Sequence, residues 1–187
     1  MTLYSVMLFV HVVTALGVFA ALALEAASLF RLRQSATSEQ AQAWMDLVPG
    51  LPQMTMSTFL LLLLSGFYLT AQMSGWSLAW PKLAVAALVL VGPFGAISGR
   101  RMRAIRNILR TSNPNQSELV GKLQDPYLKF SLSLRISLVL GIVLLMTAKP
   151  GMTESLSILG VFAVVGLVLA FLPWRRGAAR PAVRAGS

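Results

Sequence analysis

Five ionisable side chains lie within or beside the long apolar stretches of this sequence, namely His11, Glu25, Arg135 and, nearer the ends of the stretches, Lys82 and Lys129. An ionisable group in hydrocarbon is costly, so such groups usually face a protein interior, a water-filled cavity or an opposite charge. An imidazole can bind haem iron or another metal, carry a proton, or hydrogen-bond to a neighbouring helix. The sequence leaves these roles open for His11.

Glu25 shares one face of its predicted helix with His11, because His11, Val18 and Glu25 are spaced by seven residues. Besides the bulkier Leu22, the same stripe carries small side chains, Thr14, Ala15 and Ala21. Small side chains let a second helix approach closely in a membrane. We therefore expect the first helix to be central in the bundle.

Arg135 lies about as deep in its apolar stretch as Glu25 does in its own, each within two turns of the same end of the bundle. A lone charge at that depth would be expensive, so the sequence predicts that the two side chains face each other, directly or through water. The alternative is functional. Arg135, with Ser131 and Ser133, would then bind an anionic headgroup or substrate.

Five apolar stretches must position these groups: residues 3–29, 54–73, 83–98, 130–148 and 156–174. Each is long enough, or nearly so, to cross about 30 Å of hydrocarbon at about 1.5 Å per residue. With 56% hydrophobic and 12% charged residues, the chain has too little polar surface to cover a globule in water. The sequence predicts an all-α, multi-pass transmembrane bundle of five spans over residues 1–174, followed by a basic, disordered tail at 175–187.

Basic residues alternate between the connections of this bundle. Arginines follow the first, third and fifth spans, whereas residues 74–81 carry no charge and residues 149–154 carry one cation and one anion. Short loops rich in Lys and Arg stay in the cytoplasm, so the N-terminus is expected outside and the C-terminus inside. The net charge of +10 does not indicate nucleic-acid binding, because these arginines flank apolar spans and do not form one basic face.

Metal and cofactor sites are limited by composition. The chain has one histidine and no cysteine, so neither a bis-His haem site nor a multi-His metal site can form within one subunit. We expect no metal centre made by one chain alone.

Two segments resemble a known group of membrane proteins. The run LFVHVVTALGVF at 8–19, with Glu25 and the RLR at 31–33, and the run GWSLAWPKLAVAALVLV at 75–91, with the GRRMRAI that follows, resemble the first and third helices of the copper-resistance-D-like superfamily. The chain looks most like the family called domain of unknown function 2269. The resemblance implies a bacterial cytoplasmic (inner) membrane protein. A related family includes a haem-binding protoporphyrinogen oxidase whose important His and Lys match His11 and Lys82, which makes haem the cofactor to consider.

Three classes of function remain open at this point. As a binding or transport protein, the chain would hold a small ligand or ion among His11, Lys82, Glu25 and Arg135. As a redox enzyme, it would use haem or quinone near His11. As an interaction subunit, it would stabilise a homo-oligomer or a larger membrane complex, and in every case the bilayer is a partner.

Overall fold

The computed structural model describes residues 2–35, 38–47, 50–73, 75–110, 121–122 and 125–172. Within these residues, five helices are long and apolar enough to cross a membrane, and there is no strand. This confirms the predicted all-helical bundle of five spans. The predicted tail at 175–187 lies outside the described residues. The spanning helices are α1 (Leu3–Gln34), α3 (Leu51–Gln72), α4 (Ala79–Leu109), α5 (Pro126–Ala148) and α6 (Met152–Phe171), and the short α2 (Ser38–Leu47) connects α1 to α3.

Local sequence signals explain where several of these helices begin and end. The Thr2 side chain accepts a hydrogen bond from the backbone N–H of Ser5, and Asp125 accepts one from Tyr127, so α1 and α5 both have side-chain N-caps. In the first turn of α6, the carboxylate of Glu154 accepts a hydrogen bond from the backbone N–H of Gly151, the residue that precedes this helix. Helix α5 ends at Ala148, and the next residue, Lys149, adopts the left-handed conformation with φ of 49°. The polar connections therefore set the helix ends.

The arginine-rich segment after the third apolar stretch continues α4 as a helix to Leu109, well beyond the predicted end of that span. Its inward side carries Ile105 and Leu109, which are 1% and 4% exposed. The apolar residues at helical spacing explain why the helix does not stop at the first arginine. As a result, the arginines up to Arg106 lie on the same continuous helix as the third span.

Helix α5 is the centre of the bundle, which corrects the expectation that the first helix is central. Half of the apolar window of α5 is buried, against 22% for α1. The reason lies in small and polar residues on α5 that admit its neighbours. The Ser98 hydroxyl of α4 donates to Ser131 at 2.8 Å, and Gly141 lies against Phe162 of α6.

Large apolar side chains cover the outside of the spanning helices. Phe9 of α1 is 68% exposed and Phe171 of α6 is 83% exposed. A contiguous apolar exterior of this kind would be unstable in water and is suited to hydrocarbon. The fold is thus that of a protein surrounded by lipid.

The helix ends that carry arginines meet at one end of the bundle, here called the arginine-rich end. It includes the ends of α1 and α4, where Arg33 donates to the carbonyl of Asp125 at 2.9 Å and Arg101 pairs with the Asp125 carboxylate. The Arg101 guanidinium also lies 4.3 Å from the Tyr127 ring centre. At the same end, the Lys129 ammonium donates to the carbonyl of Leu172, just after α6. The contacts tie three helix ends to the start of α5.

The α5–α6 interface yields a test of the packing. A Cβ added at Gly166 would lie 3.0 Å from the Leu134 Cα and 3.1 Å from the Ser137 Cβ, whereas one added at Gly160 meets nothing within 4 Å. We expect Gly166→Ala to lower the free energy of unfolding in detergent by about 1–3 kcal/mol through overpacking. The matched Gly160→Ala should be neutral or slightly stabilising, and equal effects of the two variants would contradict this close approach.

Candidate functional site

A cavity of about 300 Å³ opens at the arginine-rich end of the bundle. Helices α1 to α5 all contribute to its wall. Its inner part is apolar and includes Val18, Phe59, Val91 and Val139. A volume near the lower limit of known ligand pockets, about 300–1,000 Å³, makes this cavity the candidate site.

Small residues on successive turns of α4 create the room for this cavity. Gly92, Gly95, Ala96 and Gly99 all line its wall. A Cβ at Gly92 would contact Phe59 at 3.4 Å, and one at Gly95 would lie 3.5 Å from the Arg135 Nη1. Phe59 of α3 thus packs against Gly92, while the missing side chain at Gly95 lets Arg135 reach the cavity wall.

Glu25 and Arg135 are in contact in the inner wall of the cavity. The Arg135 Nη2 donates to the Glu25 Oε1, and the Arg135 Nε donates to the Ser131 carbonyl at 3.3 Å. Their side chains are only 16% and 4% exposed. Each charge therefore compensates the other at a depth where neither would be stable alone. The two face each other directly, as their equal depths in the sequence indicate.

Three further arginines line the outer part of the cavity: Arg100, Arg103 and Arg106. They follow one another at intervals of three residues on α4, whereas Arg101 points toward Asp125 and Tyr127. Among the described residues that form the wall, four arginines face the single carboxylate of Glu25. Because Glu25 and Arg135 compensate each other, Arg100 and Arg103 leave the wall with a net positive charge.

Trp44 of α2 lines the same cavity from the polar connection between α1 and α3. The Arg31 guanidinium lies 5.2 Å from the centre of its ring, which fixes α2 against the end of α1. The sequence indicates a short surface helix here, but its contribution to the site was missed. A tryptophan in an otherwise polar helix was the available signal.

His11 lies in the other half of the bundle, and its ring is packed against α3. Its Nδ1 is 3.0 Å from the Ser65 hydroxyl, which itself donates to the Leu61 carbonyl at 2.7 Å. A Cβ at Gly66 would lie 3.1 Å from the imidazole Cε1. Fourteen residues, or about 21 Å of helix, separate His11 from Glu25, so the structure does not bring these two into one site.

A second cavity, of about 60 Å³, lies beside His11 and also contacts Trp80, Pro81 and Met146. It is far below the roughly 300 Å³ at which ligand pockets begin, so haem does not fit next to this imidazole as the helices are packed. Lys82 has an exposed side chain and lines neither of the two cavities. In the described ranges, no three His, Cys, Asp or Glu side chains form a group that would hold a metal ion.

No protein-family model, no curated protein and no solved structure matches this chain. Its class follows from the fold: five apolar helices with a lipid-compatible exterior are those of a multi-pass membrane protein.

Removing one partner of the Glu25–Arg135 pair tests the electrostatics of the inner wall. We expect Arg135→Gln to lower the free energy of unfolding by about 3–5 kcal/mol, because it leaves a largely buried carboxylate without its counter-charge. The double variant Glu25→Gln, Arg135→Gln should cost clearly less than the sum of the two single changes. Unfolding in detergent of the four proteins gives the coupling energy.

A control for this cycle is Arg101→Gln, which removes an arginine from a pair whose side chains are 43% and 24% exposed. This variant should lower the free energy of unfolding by about 1 kcal/mol. Strict additivity at positions 25 and 135 would show that the buried pair has no special energetic role.

Proposed function

We propose that this chain is an integral protein of the bacterial cytoplasmic membrane, related to the copper-resistance-D-like superfamily, that binds a small anion in the cavity at its arginine-rich end. In this proposal the arginine-rich end faces the cytoplasm. The N-terminus lies on the outer side. The single observation that carries the anion assignment is the excess of guanidinium groups over carboxylates on the cavity wall.

The positive charge of the cavity wall favours a negatively charged ligand. In the part of the chain that the structure describes, neither Arg100 nor Arg103 forms a salt bridge, while the one carboxylate in the wall is engaged by Arg135. Guanidinium groups donate pairs of hydrogen bonds to carboxylate or phosphate oxygens, and such bonds strengthen where water is partly excluded. An anion is therefore the ligand that this cavity stabilises.

Two polar groups of the wall are already engaged with other parts of the protein, which favours binding over catalysis. The Thr55 hydroxyl donates to the Leu51 carbonyl at 2.8 Å, and Glu25 is held by Arg135. Neither forms the nucleophile–base hydrogen bond that covalent catalysis requires. The proposal therefore assigns the cavity a binding role.

Transport of the anion is a second candidate, and it has its own observation. Val139 lines both the large cavity and the smaller one beside His11, and the buried core includes Val18 on the wall of the large cavity and Leu88 on the wall of the smaller one. Two cavities in opposite halves with an apolar layer between them are the arrangement that alternating access needs. Binding at the arginine-rich end would then be the first step.

The anion assignment is tested with inorganic phosphate as the probe. We expect phosphate to raise the melting temperature of the full-length protein in neutral detergent, because a ligand of the native state stabilises it by mass action. The double variant Arg100→Gln, Arg103→Gln should weaken phosphate binding about tenfold or more, since each charge-assisted hydrogen bond contributes about 1.5–3 kcal/mol.

The control is Arg110→Gln, which removes one positive charge from the end of the same helix but outside the cavity and is compared with the single variants Arg100→Gln and Arg103→Gln as well as with the double variant. It should bind phosphate as the parent does. If phosphate has no effect on the parent, or if Arg110→Gln weakens binding as much as the cavity variant, the anion site is refuted.

Orientation can be tested cleanly because the chain has no cysteine of its own. Glu39 on α2 and Gly151 between α5 and α6 are both exposed and lie toward opposite ends of the bundle. In spheroplasts, we expect an impermeant maleimide to label Gly151→Cys at once and Glu39→Cys only after permeabilisation. The reverse pattern would place the arginine-rich end outside.

A further inference from the structure

We infer that the anion is the phosphate head of an amphiphile that enters the cavity sideways from the inner leaflet, between α3 and α4. This inference deepens the proposed function and rests on it. It concerns where the ligand comes from and what the apolar part of the wall contacts.

The polarity of the cavity changes along its depth as a bilayer leaflet does. Arg100 and Arg103 lie at the outer part, whereas the inner part is lined by Phe59, Val91 and Val139 beside the mutually compensated Glu25–Arg135 pair. A free inorganic anion would use only the arginines and would leave the apolar wall without a partner. An amphiphile oriented like the surrounding lipids places its head on the arginines and its chain on that wall.

The gap between α3 and α4 provides the lateral opening. Helix α3 packs mainly on α1 and helix α4 mainly on α5, so α3 and α4 meet over a much smaller area. Met56 of α3 is 58% exposed and yet lines the cavity, so its side chain lies at the boundary between the cavity and the lipid. Across the gap, Ala96 of α4 offers only a small side chain, whereas deeper in the bundle Phe59 of α3 packs against Gly92 and closes the gap.

The size of the cavity fits part of an amphiphile. About 300 Å³ holds a head group and the first carbons of a chain, and the rest of a lipid chain would extend through the opening into the bilayer. A polar ligand that is fully enclosed would have no need for a lipid-facing gap.

Phosphate suits the head group better than a carboxylate does. Arg100 and Arg103 stand one turn apart on the same side of α4, which allows two guanidinium groups to share one head. A phosphate offers three acceptor oxygens and more negative charge, so it can accept from both arginines at once.

The experiment compares inorganic phosphate with butyl, hexyl and octyl phosphate on the full-length protein in neutral detergent, with octyl glucoside as the uncharged chain. We expect the affinity, measured from the shift in melting temperature, to rise about fourfold for each methylene that enters the cavity. The reason is that transferring one methylene from water to an apolar environment lowers the dissociation constant by about that factor. Octyl glucoside should give no comparable shift.

Two variants separate the cavity from general insertion into the micelle. Ala96 lines the cavity, whereas Ala86 lies on the lipid-facing side of the same helix. We expect Ala96→Phe to remove the gain from chain length, because its ring fills the space that the chain would occupy, and Ala86→Phe to retain it. Native folding of each variant is checked by its melting temperature without ligand.

Each outcome decides one of the two proposals. If the alkyl phosphates bind no better than inorganic phosphate, the amphiphile is refuted while the anion site stands. If neither binds, both fail. If the gain with chain length survives in Ala96→Phe, or octyl glucoside reproduces it, the chain is inserting into detergent and the inference is overturned.

Discussion

The cost of placing charge in hydrocarbon is the constraint on which this structure depends. Arg135 sits on α5, the most buried helix of the bundle, and a guanidinium there requires an anion within reach. Glu25 supplies it from α1, and Gly95 keeps α4 from pushing the guanidinium away. The pair therefore brings three helices together at one depth. The cavity lies at the same place because the small residues of α4 that leave room for Arg135 also leave room for a ligand.

Hydroxyl groups also hold the helices together, through hydrogen bonds between neighbouring helices. Without a hydrophobic driving force between helices in lipid, close packing and interhelical hydrogen bonds must hold the bundle together. Ser131 of α5 accepts from Ser98 and donates to the Phe94 carbonyl of α4 at 3.0 Å, while Ser137 donates to the Phe162 carbonyl of α6. Phe94 lies one turn before Ser98 on α4, so both hydrogen bonds join Ser131 to the same part of that helix. Small polar residues on α5 thus make it central, although its overall composition resembles that of the other spans.

The sequence carried most of the fold and only part of the site. Apolar length and arginine alternation were enough to predict five spans, and equal depth was enough to place Glu25 opposite Arg135, because both follow from the energetics of a single helix in lipid. The central helix was predicted wrongly, since small residues on α1 show that a neighbour can approach and not that one does. The cavity depends on which faces of α3 and α4 separate, and Trp44 enters it from a polar connection; neither property is encoded by the periodicity of one segment. The roles of His11 and Lys82 stay predictions, and the structure places these residues away from the large cavity.

The arginines of α4 serve two purposes that a topology signal alone does not require. A signal that only retains a loop in the cytoplasm needs positive charge near the span but no particular direction for each side chain. Here Arg101 bonds to Asp125 and holds α4 to the start of α5, while Arg100 and Arg103 face the cavity. The first contact joins the end of α4 to α5, while the helix itself presents the other two guanidinium groups one turn apart on the cavity side. A positively charged rim over an apolar wall favours a ligand with both kinds of surface, and the bilayer next to the α3–α4 gap is full of such molecules.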